Sequence, residues 1–153
     1  MPHLDPTITS YISASPETTQ ALARQLAKQV PRGSIVCLEG DLGAGKTTFS
    51  KAFISAITGI EEDSIQSPTF VYQNSYPALG GMIHHFDLYR LQNEQEFIEL
   101  GFLDSFNPHS ICLLEWPCKI FSMLESYLLV TFSYVSEEKR EICIQHIHRV
   151  ACQ

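Results

Sequence analysis

Apolar positions along the chain recur with two periods, and the periods alternate. From Pro16 onward, Leu22, Ala23, Leu26, Ala27 and Val30 fall on one side of a 3.6-residue repeat, which predicts a helix. Ser15 supplies its N-cap and Pro16 its first helical position, while Pro31-Arg32-Gly33 ends it. The segment from Thr7 to Ser13 before it is β-prone. "SIVCLE" then reads as a buried strand, and Lys46 to Ile57 as a second helix with Phe49, Phe53, Ala56 and Ile57 inward and Gly59 at its C-terminus. "SPTFVYQNSY" and "MIHHFDLY", separated by the breaker "PALGG", predict an antiparallel hairpin. Asn93 followed by Glu96 is a capping-box pattern that predicts a short helix. "ICLLE" is another buried strand, Pro117 opens a further short helix, and "YLLVTFSYV" pairs with "REICIQHIH" across a charged turn. Strands that alternate with helices in this order predict an α/β fold: a three-layer sandwich with a mixed central β-sheet flanked by helices.

The bulk numbers narrow the picture. A chain of 153 residues with 44% hydrophobic and 18% charged residues suits one folded domain over 1–153, and no repeat, low-complexity tract or linker divides it. Ten Lys plus Arg against seventeen Asp plus Glu give a formal net charge of −7. A protein that grips nucleic acid alone needs a basic face, because each phosphate it neutralises releases counterions. Such a role is therefore not expected of this chain on its own. The cysteines Cys37, Cys112, Cys118, Cys143 and Cys152 are odd in number and lack CxxC spacing; Cys37, Cys112 and Cys143 sit in apolar runs as buried hydrophobes. The start "MPHLDPTITS" has neither a basic nor an apolar signal region, and no apolar run reaches membrane-spanning length. The expectation is a cytoplasmic protein without membrane association.

The candidate chemistry lies in "EGDLGAGKTTFS". Gly40, Gly45, Lys46 and Thr47 complete the pattern G-x-x-x-x-G-K-[ST], with a predicted strand before it and a helix after it. Glycines let backbone N–H groups turn inward around phosphate oxygens, and the helix N-terminus adds favourable partial charge. Asp41, Leu42, Gly43, Ala44, Gly45, Lys46, Thr47 and Thr48 are thus the candidate nucleotide contacts. Lys46 would reach the outer phosphates and the Thr47 hydroxyl would ligate Mg²⁺. No N-K-x-D segment for guanine is present, which favours ATP.

Hydrolysis also needs a carboxylate near the metal and a group that orients water. Glu115 follows the apolar run "ICLL", the Walker-B arrangement, and is the candidate metal-side acid. Asp87 ends "MIHHF" and shares a strand face with His85 and Tyr89 by the two-residue period. The choice between Asp87 and Glu115 for positioning water stays open at this point. Thr69 in "QSPTF" fits either a threonine that closes on Mg²⁺ or a plain turn. Arg90 fits a charge neutraliser or a surface ion pair, and Trp116 a core residue or the rim of a site. His146 and His148 share a strand face, without the carboxylate or thiolate spacing that a metal site needs.

"GDLGAGKTT", "SPTF", "HFDLYRL" and "EW" after an apolar strand, in that order and spacing, resemble the bacterial TsaE (YjeE) family over nearly the whole chain. The resemblance implies an ATPase, weak alone, that acts with TsaD-type and TsaB-type proteins in making the tRNA modification threonylcarbamoyladenosine. It reaches tRNA only through that complex, and the carbamoyl transfer belongs to TsaD. Carried over, Lys46 and Thr47 hold phosphate and Mg²⁺, Glu115 is the metal-side acid, Asp87 matters for hydrolysis, Thr69 is the switch-like threonine and Trp116 lies near the nucleotide. Cys118 departs from the pattern, since family members often carry an acid soon after "EWP". The alternative is a small P-loop kinase acting on a metabolite. Such enzymes clamp anionic substrates with several arginines. Here Arg24, Arg32, Arg90, Arg140 and Arg149 are scattered, and only Arg90 adjoins a motif.

Overall fold

The computed structural model describes residues 8–149. Strand β1 (Thr9–Ser13) leads through helix α1 (Pro16–Gln29) to β2 (Ile35–Gly40) and α2 (Lys46–Thr58). The hairpin β3 (Gln73–Ala78) and β4 (Gly81–Asp87) follows, then α3 (Glu94–Glu99), β5 (Ile111–Glu115), β6 (Ser126–Tyr134) and β7 (Arg140–His148). The expected N-cap of α1 is present: Ser15 Oγ accepts the Thr18 N–H at 3.2 Å. Asn93 caps α3 in the same way, accepting from the Glu96 N–H at 2.9 Å.

All strands join one sheet in the order β1-β7-β6-β2-β5-β4-β3. Its centre, β6-β2-β5-β4, is parallel, and antiparallel pairs complete both edges. Successive residues of the central strands point to opposite faces, so two cores form. Val36, Leu38, Leu113 and Val130 pack with Leu22, Ala23, Phe49 and Phe53 under α1 and α2. Cys37, Cys112, Leu114 and Phe86 pack with Phe97 of α3 and with Ile120 and Leu124 on the other side. This is the α/β sandwich with a mixed sheet that the pattern predicted. No helix among the described residues is long and apolar enough to cross a membrane.

Several local expectations need correction. The first strand of the hairpin begins at Gln73, not in "SPTF"; residues 68–72 form a loop closed by the Tyr72 N–H on the Pro68 carbonyl at 2.9 Å. Pro68 has no N–H to give a ladder, and Tyr72 at φ 66 turns the chain. "PALGG" is no long breaker: Pro77 pairs with Met82 and Ala78 with Gly81, leaving Leu79 and Gly80 as the turn. In α2 it is Ala52 that is buried while Ala56 is exposed. Tyr89 lies beyond the end of β4 and is exposed, so it does not share the strand face of His85 and Asp87. Pro117 opens a single 3-10 turn, Pro117–Lys119. Cys143 is only half-buried; Thr7 and Cys152 lie outside the described residues.

Candidate functional site

Strands β2, β4 and β5 run parallel, so Gly40, Asp87 and Glu115 end at the same edge of the sheet. Directly after β2 the chain turns through Asp41–Gly45 into α2. Gly40, at φ 156, lets this happen: a Cβ there would stand 2.7 Å from the Phe132 carbonyl oxygen. Gly45 at φ 108 forms the N-cap of α2 and offers no side-chain cap. The first-turn N–H groups of a thirteen-residue helix are therefore left to whatever enters from outside.

What they face is a cleft of about 490 Å³ lined by Leu42, Gly43, Gly45, Lys46, Thr47 and Thr48 on one side. Ser67, Thr69, Asp87, Tyr89, Arg90, Glu115 and Trp116 line the other. The structure thus gathers residues from four separate stretches of sequence. Asp41 and Ala44 are not in this lining. The Asp41 carbonyl accepts the Ala44 N–H at 3.1 Å and shapes the loop, and Ala44 borders a smaller neighbouring cavity.

Lys46 is 5% exposed and folds back over the loop. Its ammonium donates to the Gly40 and Asp41 carbonyls and stands 3.5 Å from the centroid of the Trp116 ring. Burial holds its pKa below the ordinary lysine value, opposed by the carboxylates of Glu115, Asp41, Asp87 and Glu39. Trp116 adopts a left-handed φ of 57 and meets Tyr89 edge-to-face at 5.0 Å. It is a rim residue and not part of either core.

Glu115 is 3% exposed. Its Oε1 accepts a long hydrogen bond from the Thr47 hydroxyl at 3.4 Å, and its Oε2 accepts from His85 Nε2 at 2.7 Å. Asp87 stands opposite Glu115 in register. Its Oδ1 accepts the Tyr89 N–H at 3.1 Å and its Oδ2 the Ser67 hydroxyl at 3.4 Å. Thr69 donates to Ser67 at 3.3 Å, so a chain of contacts links the 68–72 loop to the end of β4. Arg90 lies 4.3 Å from the Phe70 ring centroid and, among the described residues, makes no ion pair.

These donors suit a phosphate chain with Mg²⁺. Helix N–H groups without a cap and an ammonium beside them match anionic oxygens, and a hydroxyl beside a buried carboxylate matches a hard cation that keeps waters and phosphate oxygens as its other ligands. Among the described residues no group of three or more His, Cys, Asp or Glu could hold a metal unaided, His146 and His148 included. Sequence reasoning missed three contributors: His85 as the partner of Glu115, Ser67 as the bridge to Asp87, and Tyr89 as the support of Trp116. Only the two-residue spacing of His85 and Asp87 hinted at the first.

The chain is similar to known proteins over most of its length. The family model described as threonylcarbamoyl adenosine biosynthesis protein TsaE matches residues 13–142. The tRNA threonylcarbamoyladenosine biosynthesis protein TsaE of Rickettsia conorii is 40% identical over 129 residues, 84% of this chain and 73% of that one. Its namesake in Bacillus subtilis is 36% identical over 131 residues, covering 85% and 80% of the two chains. A crystal structure of YdiB from Bacillus subtilis superposes with a TM-score of 0.71 at 28% identity, over 92% of this chain and 86% of that one.

Proposed function

The chain belongs to the TsaE family of threonylcarbamoyl adenosine biosynthesis proteins, and on that premise we propose that it is a Mg²⁺-dependent ATPase serving tRNA threonylcarbamoyladenosine synthesis. Its nucleotide state is read by TsaD-type and TsaB-type partners. The observation that carries this reading is the cleft itself, where the open N-terminus of α2 with Lys46 and Thr47 faces Glu115, Asp87 and Thr69.

ATP enters as substrate, and its phosphates take the place that Lys46 now fills over Trp116. Lys46 gives up the Gly40 and Asp41 carbonyls for phosphate oxygens; its ammonium is already buried, so the exchange strips little further water from it. Thr47 and Glu115 would hold Mg²⁺, which when bound neutralises charge on the outer phosphate oxygens. Asp87 orients the attacking water. Each of its oxygens already accepts one hydrogen bond, which fixes the carboxylate plane, and free lone pairs remain toward the cleft. Thr69, joined to Asp87 through Ser67, ties the position of the 68–72 loop to the state of the site.

That loop carries Phe70 and Val71, 76% and 61% exposed, next to Thr69 of the cleft wall, and Leu42 of the lining is 70% exposed. Apolar side chains held outward at the edge of a site suit a protein partner better than a small acceptor. The net charge of −7 leaves tRNA to the partners. A metabolite kinase finds little support, since Arg90 is the single arginine of the cleft.

ATP turnover by the purified protein, alone and with the matching TsaD–TsaB pair and tRNA, tests this. Slow turnover that changes with the pair, and repeated rounds of tRNA modification, is the expected result, and Lys46→Ala should abolish it. Brisk phosphate transfer to a small metabolite, indifferent to the pair, would overturn it.

A further inference from the structure

Beneath the cleft floor lies a histidine with one partner and no access to solvent. His85 is fully buried in β4, and Nε2 donates to Glu115 Oε2 at 2.7 Å; the carboxylate oxygen can only accept, so this nitrogen carries the proton. Nδ1 is buried and, among the described residues, has no hydrogen-bond partner. Register explains how the two meet. His85 opposes Leu113 on the neighbouring parallel strand, so it lies diagonal to Glu115 on the same face. Ile83, Ile111 and Leu113 close the core below them.

A packing role alone would be served better by an apolar side chain, which leaves no buried nitrogen without a partner. The contact that His85 does make falls on Oε2, the carboxylate oxygen that is not beside Thr47. A glutamate held only by its stem can rotate. With Oε2 tied down, Oε1 is left beside the Thr47 hydroxyl at 3.4 Å. We infer that His85 is a positioning residue for Glu115, presenting one carboxylate oxygen at a fixed place next to Thr47 for the divalent cation, a role that rests on the magnesium–nucleotide reading above. Histidine–carboxylate supports behind a metal ligand govern its affinity in this way.

The test separates position from bulk. His85→Gln keeps an N–H donor near the place of Nε2, whereas His85→Asn puts its amide nearer the place of Nδ1, out of reach of Glu115. Binding of Mn²⁺ to the full chain with saturating ADP is followed by electron paramagnetic resonance, and ADP affinity without metal and thermal melting are measured on the same samples. The expected result is near-wild-type Mn²⁺ affinity for the Gln variant and a loss of about 10–100-fold for the Asn variant, with metal-free ADP affinity unchanged in both. On a Glu115→Gln background neither substitution should alter Mn²⁺ binding further. Should the Asn variant not fold, His85→Phe replaces it as a ring of similar shape without a donor. Equal Mn²⁺ affinity in all variants, equal loss in Gln and Asn, or the same loss on the Glu115→Gln background would overturn the positioning role. A wild type that holds ADP but no Mn²⁺, or neither, removes the magnesium–nucleotide reading, and the positioning role with it.

Discussion

Replacing Glu115 by glutamine should make the free protein more stable while disabling it. The carboxylate is 3% exposed and stands in register with Asp87 on the adjacent strand. Neighbouring strands lie about 5 Å apart, and like charges at that separation repel by about 3 kcal/mol at an effective dielectric of about 20, an upper bound for two carboxylates that can turn apart. Lys46 attracts both and offsets part of this, Glu115 being the strongest of the carboxylates that support its charge. The His85 contact survives the substitution, because a glutamine oxygen accepts as a carboxylate does. The balance is a gain of about 1–2 kcal/mol, the part of the repulsion that the attraction of Lys46 does not offset. For a chain of this length that raises Tm by about 2–8 °C. Calorimetric unfolding in EDTA without nucleotide measures it. With Mg²⁺ and ADP at about a hundred times the dissociation constant, the wild type should gain about 2.7 kcal/mol by linkage and the variant much less, reversing the order. In turnover, Glu115→Gln should lose far more than it loses in ATP affinity. A variant that melts below the wild type in EDTA would refute the reasoning, for the carboxylate would then be a structural counter-ion of Lys46 and not a group reserved for a cation.

Three further outcomes are expected. Trp116, the only tryptophan, carries the Lys46 ammonium over its ring, so its emission should change when saturating ATP withdraws the lysine; an unchanged spectrum would show that Lys46 stays where it is. Burial pushes the thiols of Cys37 and Cys112 up, Cys112 to about 12. Both stay protonated in the folded state while the unfolded chain ionises above its ordinary thiol value of 9.0, so their contribution is complete below that pH and is lost as pH rises from there toward 12, at about 1.4 kcal/mol per unit for each thiol. Urea midpoints from pH 8 upward check the slope for Cys37→Ala and Cys112→Ala against the wild type, and a slope unchanged in both would contradict it. Gly40→Ala drives a methyl to 2.7 Å from the Phe132 carbonyl oxygen in the neighbouring strand and should cost about 1–3 kcal/mol in urea unfolding; a cost below about 0.5 kcal/mol would mean that the strands shift freely there.

What could be read from the sequence depended on whether a feature is local. The phosphate-cradle loop is a run of consecutive residues between a strand and a helix, so its conformational demands are written in order. Glu115 was readable because four apolar residues lead directly to it. The contact between His85 and Glu115 was not, because it is set by the pairing of β4 with β5, whose register places His85 opposite Leu113 and follows from no local pattern. The 68–72 loop misled in the opposite direction. Phe70 and Val71 look like strand residues, yet Pro68 cannot donate to a ladder and Tyr72 turns at positive φ, leaving both side chains in solvent.

Several exceptions to local rules meet around the cleft, although outward apolar side chains also occur elsewhere, Leu79 in the β3–β4 turn at 92% among them. Trp116 and Tyr72 are the non-glycine residues at positive φ among those described. Lys46 is a buried ammonium, Phe70 and Val71 are outward apolar residues, and His85 keeps a nitrogen without a partner among the described residues. Trp116 and Lys46 line the cleft, Phe70 and Val71 adjoin Thr69 in its wall, Tyr72 closes that same loop, and His85 holds Glu115 from below. Deeper in the sheet Val36, Leu38, Leu113 and Leu114 are fully buried with nothing polar to satisfy. The left-handed φ values, the buried ammonium and the unpaired histidine nitrogen each cost stability, so packing alone would remove them. The meeting of strained backbone, a buried ammonium and a half-satisfied histidine at one cleft is what a site maintained for binding and chemistry requires, and it agrees with the glycine-rich motif from which the cleft begins.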